Sequence, residues 1–142
     1  MSRPRQKDGR ELSGTLPLAQ HYNVYTNEAN CRWKLLLRPD YLPLPAGFRT
    51  APLPDGLKVE DVFRDQFAYV KNNLRRFLAK THGFNEATIA ELEASMYIVL
   101  TTPNGWEGRH QNRMREAALD AGFLNRVSRH RIKFVSEGEV RL

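Results

Sequence analysis

Between Met96 and Gly108 the sequence reads "MYIVLTTPNGWEG": five apolar residues, a Thr-Thr-Pro-Asn-Gly break, then polar residues that can continue as a helix. A strand that empties through a glycine-containing turn into a helix is where many proteins hold phosphate, because the first helical turn offers N–H groups with no partner inside the helix. The residue types argue against that use. A phosphate loop brings several glycines against the anion and follows the last with a lysine and a hydroxyl residue. Here Gly105 and Gly108 bracket Trp106 and Glu107, Arg109 and His110 follow, and the Glu107 carboxylate would take the place of the anion. Pro103 and the Asn-Gly turn read instead as the stop of a strand and the cap of a helix, with Trp106 in the core.

Other chemistries find little support in residue spacing. His21, His82, His110 and His130 are far apart, and Cys31 is the single cysteine, so zinc-type spacing and an internal disulfide are both excluded. Cys31 has no adjacent base or acid to mark a nucleophile and reads as a buried free thiol, and there is no Gly-x-Ser-x-Gly elbow. The net charge of +6 and pI near 9.8 keep nucleic acid in view. The local basic excess is "NRVSRHRIK", where Arg126, Arg129, Arg131 and Lys133 meet no acidic neighbour in sequence. No apolar run reaches the roughly 20 residues that span a bilayer, and the charged start "MSRPRQKDGRELSG" is not a secretory signal. A cytoplasmic protein with no membrane partner is expected.

The elements that must position these groups follow from periodicity. Residues 1–55 hold seven of the eight prolines and little regular pattern, which opposes helix and central strand and predicts an extended, partly disordered connector. Within it "CRWKLLLRP" groups Trp33, Leu35, Leu36 and Leu37 as a buried helical turn or a strand. From Asp55 the spacing of Val59, Phe63, Phe67, Val70, Leu74 and Phe77 predicts an amphipathic helix to about Lys80, capped by Asp55 and closed by Gly83. A shorter helix is predicted over Glu86 to Glu93. Met96 to Leu100, uniformly apolar, reads as a strand covered on both faces. Asn104, with Glu107 three residues on, should cap a helix that exposes Arg109, Arg113 and Arg115, buries Met114, Ala117, Ala118 and Ala121, and ends at Gly122. "RIKFVS" supplies a second strand with Ile132 and Phe134 on one face. Strand, helix and strand make a right-handed, parallel βαβ unit, so the fold class is α/β.

The segment "YIVLTTPNGWEGRHQNRMREAALDAGF" followed by "RIKFVSEGE" resembles the actin-like ATPase superfamily, specifically the nucleotide-binding domain of seventy-kilodalton heat-shock (DnaK-type) chaperones. The likeness is nearest to a divergent, fungal-type branch, in which a strand ending in Thr-x-Pro, an "REAA...AG" helix and a strand ending in a Glu-containing turn follow in order. "PDGLKVEDVFRDQFAYVKNNL" matches the long helix preceding that strand, and "WKLLL" is a weaker match upstream. The likeness covers Trp33 to Leu142, with Met96 to Glu139 its specific part.

This resemblance implies a partial ribonuclease-H-like, actin-like ATPase lobe over residues 56–142. It implies that Glu137 is the acidic group that orients the magnesium hydration shell and the attacking water, a catalytic role and a metal contact through water. Pro103 matches the strand-ending proline linked to communication between the ATPase and its substrate domain. The basic residue that works with that proline falls on Gln111, the family's proline after the glutamate is Gly138, and the "NRVSRH" loop is longer than usual. Such an ATPase also needs two phosphate-gripping hairpins and a glycine-rich adenosine segment; "KDGRELSGT" does not lie on a strand pattern, and the text stops at "EGEVRL" as a helix should begin. The expectation is a truncated first-lobe segment, unable to bind or hydrolyse ATP alone, with Mg-ATP the cofactor of the parent family and a protein client or a second lobe as partner. The alternative expectation is a small basic adaptor that binds protein or RNA through residues 126–133; a mis-bounded gene product would instead aggregate through exposed edge strands.

Overall fold

The computed structural model describes residues 33–141 apart from positions 45, 48, 49 and 51. Residues 1–32, with His21, Cys31 and the "KDGRELSGT" stretch, lie outside the described residues. A 3₁₀ turn, Trp33–Leu37, leads into an irregular proline-rich stretch. Helix α1 (Val59–His82), helix α2 (Glu86–Ser95), strand β1 (Ile98–Thr102), helix α3 (Arg109–Asp120), a 3₁₀ turn (Arg126–Arg131), strand β2 (Ile132–Ser136) and a final 3₁₀ turn (Glu139–Arg141) follow. The strands pair in parallel from Ile98 with Ile132 to Thr102 with Ser136. The protein is thus mixed α/β and carries the expected strand-helix-strand unit.

Helix α1 begins later than the sequence suggests. Pro54 to Leu57 close a turn, Leu57 N–H to Pro54 O at 3.1 Å, with Gly56 at φ 81°. Asp55 is spent in that turn, and the Asp61 carboxylate accepts the Lys58 N–H at 3.0 Å instead. Gly83 ends the helix in the left-handed conformation, φ 67°, as its position implied. In α2 the Asn85 side chain accepts from Thr88 N–H at 2.8 Å, and Arg75 of α1 pairs with Glu86 and Glu93, fastening the two helices together. Among the described residues no helix is long and apolar enough to cross a membrane.

Helices α1 and α3 run side by side in the same direction. Arg113 Nε donates to Glu60 Oε1 at 2.5 Å near their starts, and Lys71 Nζ donates to Gly122 O further along. The small Ala117 and Ala118 let α3 approach closely, and both are buried. One cluster joins Leu37, Val59, Phe63, Trp106, Met114 and Ala117; a second joins Ala118, Leu119, Phe123, Leu124 and Ile132, and the rings of Phe67 and Phe134 touch both. Phe67 stacks edge-on against Phe123 at 6.0 Å. The apolar stripe of α1 is continuous in sequence but only half used: Val70, Leu74 and Phe77 are exposed, because α3 covers the first turns alone. Gly122, φ 76°, donates to Leu119 O, and Phe123 N–H donates to Ala118 O, the paired bonds by which a left-handed glycine closes a helix.

Two expectations are corrected. The first strand is not Met96 to Leu100 covered on both faces but Ile98–Thr102 covered on one: Tyr97 and Val99 are 64% and 57% exposed. Uniform apolarity hid this, since it does not distinguish a doubly covered strand from one whose outer face carries residues favoured for their β propensity. Asn104 does not cap α3, which starts at Arg109 behind Gly108 at φ 55°. The intervening residues form a turn, Trp106 N–H to Pro103 O at 3.3 Å, that drives the Trp106 ring into the core at 2% exposure. Residues on the N-terminal side of the compositional division at residue 55 also enter the core. Leu37 is fully buried in the first cluster, Leu42 packs against it, and the Tyr41 hydroxyl donates to Gly105 O at 3.1 Å.

Candidate functional site at the carboxyl ends of the strands

On the face of the sheet that α3 covers, side chains pair across the strands as Ile98 with Ile132, Leu100 with Phe134 and Thr102 with Ser136. The last pair replaces hydrocarbon by two hydroxyls at the carboxyl ends of parallel strands, the end at which open α/β sheets place their ligands. Beyond it lies a cleft of about 670 Å³, whose walls include Thr102, Pro103, Trp106, Gln111, Ser136 and Glu139. Thr102 is 2% exposed. Glu107, two residues before α3, also lines the cleft.

Glu137 stands just past β2. Its N–H donates to Thr102 O at 2.8 Å, so the backbone ties the two strand ends together and holds Glu137 beside Pro103. Its carboxylate points to Lys34, Oε1 to Nζ at 3.0 Å, and Lys34 also donates to Thr101 O at 3.4 Å. Both side chains are part exposed, 33% for Lys34 and 46% for Glu137. The carboxylate is therefore neutralised from the side by a lysine of the first 3₁₀ turn while one flank stays open to water.

The first turn after β2 is held by a different glutamate. Ser136 N–H donates to Glu139 Oε2 at 2.8 Å and Glu139 N–H donates to Ser136 Oγ at 3.3 Å, a reciprocal capping box spelled Ser-x-x-Glu in the sequence. Gly138 packs against the Asn104 side chain, 3.2 Å from where a Cβ would stand, which leaves little room for the proline of the related pattern. Gln111 lines the cleft with Pro103, whereas its neighbour Arg113 turns away to Glu60. Arg113 is also the main reason the Glu60 carboxyl lies below its ordinary range; its guanidinium hydrogen-bonds the charged form.

The remaining sequence candidates separate. His82 is stacked between Phe77 and Phe84, and among the described residues no three of His, Cys, Asp and Glu gather as a metal site. In the "NRVSRHRIK" segment Arg126 pairs with Glu116 and Asp120, Arg129 with Glu116, and Arg131 with Ser128 Oγ and Ala94 O. The acids absent from the local sequence are thus supplied by α3. Lys34, Thr102, Ser136 and Glu139 were not singled out by sequence. The Ser-x-x-Glu spacing and the placement of Thr102 and Ser136 two residues beyond Leu100 and Phe134 were the available signals; for Lys34 there was none, since its partner lies 103 residues away. Comparison with protein-family models, with curated proteins and with solved structures finds no match to this chain.

Proposed function

We propose that this chain is a first-lobe segment of a heat-shock-seventy-like, actin-fold ATPase domain of the cytoplasm, and that it does not bind or hydrolyse ATP by itself. The observation that carries the reading is the juxtaposition of Pro103 and Glu137 past the carboxyl ends of two adjacent parallel strands, joined by the bond from Glu137 N–H to Thr102 O. The order of elements supports it: a long amphipathic helix, then strand, helix and strand, with the long helix packed along the second. A half-exposed carboxylate at that position can hold a water of a magnesium hydration shell, and Mg-ATP bound by a complete domain would supply the phosphoryl group and its charge neutralisation.

One feature bears on the inactivity proposed for the chain alone: Lys34 pairs with one oxygen of the Glu137 carboxylate, which would have to exchange that partner for the metal's water. The basic-adaptor alternative is narrowed at Arg126, whose guanidinium is shared between Glu116 and Asp120 of α3.

Titration of the folded chain with Mg-ATP tests the second half of the proposal: no heat is expected, and binding at micromolar nucleotide would overturn it. The first half is tested by joining the chain to the hairpins and second lobe of a heat-shock-seventy-like protein. The chimera should hydrolyse Mg-ATP, and Glu137→Gln should abolish turnover while leaving nucleotide binding. A folded chimera without turnover would refute the family assignment.

A further inference from the structure

Among the described residues, strand β2 is paired on one side only. Glu137 N–H reaches Thr102 O of β1, and successive residues of a strand turn their backbone groups to opposite sides. Ile132, Phe134 and Ser136 therefore direct N–H and C=O away from β1. The Ile132 N–H is taken by Arg129 O and the Ser136 N–H by the Glu139 carboxylate. Among the described residues nothing pairs with the N–H and C=O of Phe134 or the C=O of Ile132, groups whose pairing a sheet edge invites.

A groove of about 470 Å³ follows the same edge, lined by Arg115 of α3, Arg129 and His130 of the 3₁₀ turn, and Ile132, Lys133 and Phe134. Three consecutive strand residues, whose side chains alternate between faces, share one cavity only when it runs along the strand's edge. Among the described residues no carboxylate lines it. The cations are held in place: Arg129 is bound to Glu116 and Asn112, and the Arg115 guanidinium lies 5.0 Å over the Phe134 ring.

We propose that the open edge of β2 accepts an extended acidic segment of a partner protein as an added strand, Phe134 supplying the main-chain bonds and Arg115, Arg129 and Lys133 the charge. The charge selects the occupant. A second copy of β2 would bring its own Lys133 against the same cations, whereas a strand with glutamates at alternate positions meets complementary groups. The proposal is independent of the ATPase reading, because it uses only the edge and the groove.

The test is fluorescence anisotropy of the full chain with a labelled octapeptide alternating glutamate and valine, its lysine-for-glutamate counterpart, and a version of the acidic peptide N-methylated on alternate residues to remove the donors that face the strand. The acidic peptide is expected to bind, the lysine peptide not to bind, and N-methylation to weaken binding about fivefold or more. Lys133→Glu should weaken it about tenfold and flatten its salt dependence. No binding of the acidic peptide, or equal binding after N-methylation, would overturn the proposal; so would tighter binding of a uridine oligonucleotide than of the acidic peptide, which would make the groove a nucleic-acid site.

Discussion

Replacing Leu37 by alanine asks whether the proline-rich N-terminal stretch belongs to the core. Leu37 is fully buried among Val59, Phe63, Trp106, Met114 and Ala117. Truncation removes about three methylene equivalents, worth about 0.8 kcal/mol each, or about 2.4 kcal/mol in transfer free energy. The rigid ring of Trp106 and the helix backbones on either side hinder collapse of the space, so a cavity contribution brings the expected loss to about 3 kcal/mol or more. At about 3 to 5 °C per kcal/mol for a domain of this size, the melting temperature should fall by about 10 °C or more. Thermal and urea unfolding followed by circular dichroism measure both, and the urea slope should stay constant if the folded states are alike. Val127→Ala, at a side chain 84% exposed, is the control and should shift stability by no more than about 0.5 kcal/mol. If Leu37→Ala melts with the parent, the stretch is not part of the core, and the compositional boundary at residue 55 is the structural one after all.

Gly105→Ala should cost about 1 to 2 kcal/mol, measured by urea unfolding, because φ is 84° and the new Cβ would meet Leu42 Cδ1 at 3.1 Å. Ala118→Leu should destabilise by about 1 to 3 kcal/mol by forcing α3 off the sheet, whereas the same change on the exposed flank of the helix would not. Lys34→Ala should change stability by less than about 1 kcal/mol, because both ends of its ion pair with Glu137 are part exposed; a larger loss in thermal melts would show that the pair is more than a surface bridge. Glu60, whose carboxyl is held low by Arg113, stabilises the fold above its ordinary pKa of 4.5 and loses that contribution as pH falls through its depressed folded value. The melting difference between the parent and Glu60→Gln should accordingly be present at neutral pH and vanish in acid; a difference that persists there would assign it to packing.

Local rules carried the regular elements. The three-to-four-residue spacing from Val59 to Phe77, the glycines at 83 and 122, and the run of Met114, Ala117 and Ala118 are signals read within one helix, and α1 and α3 lie where those signals place them. Boundaries failed where a distant contact decided. Asn104 has the chemistry of a cap, but Trp106 gains more by entering the core, and the helix start moved to Gly108. An apolar strand cannot announce which face will be covered, so the exposure of Val99 came from the position of α3.

The candidate site divides along the same line. By itself the sequence determined the residue types, the order of elements and the adjacency of Pro103 and Glu137 to strand ends, because each depends on neighbours within a few positions along the chain. Tertiary structure alone decided that Lys34 would neutralise Glu137, that Glu116 and Asp120 would take up Arg126, and that Leu37 would enter the core. Each of those partners is chosen by where two packed elements bring charges or hydrocarbon together in space, and sequence separation carries no record of that distance.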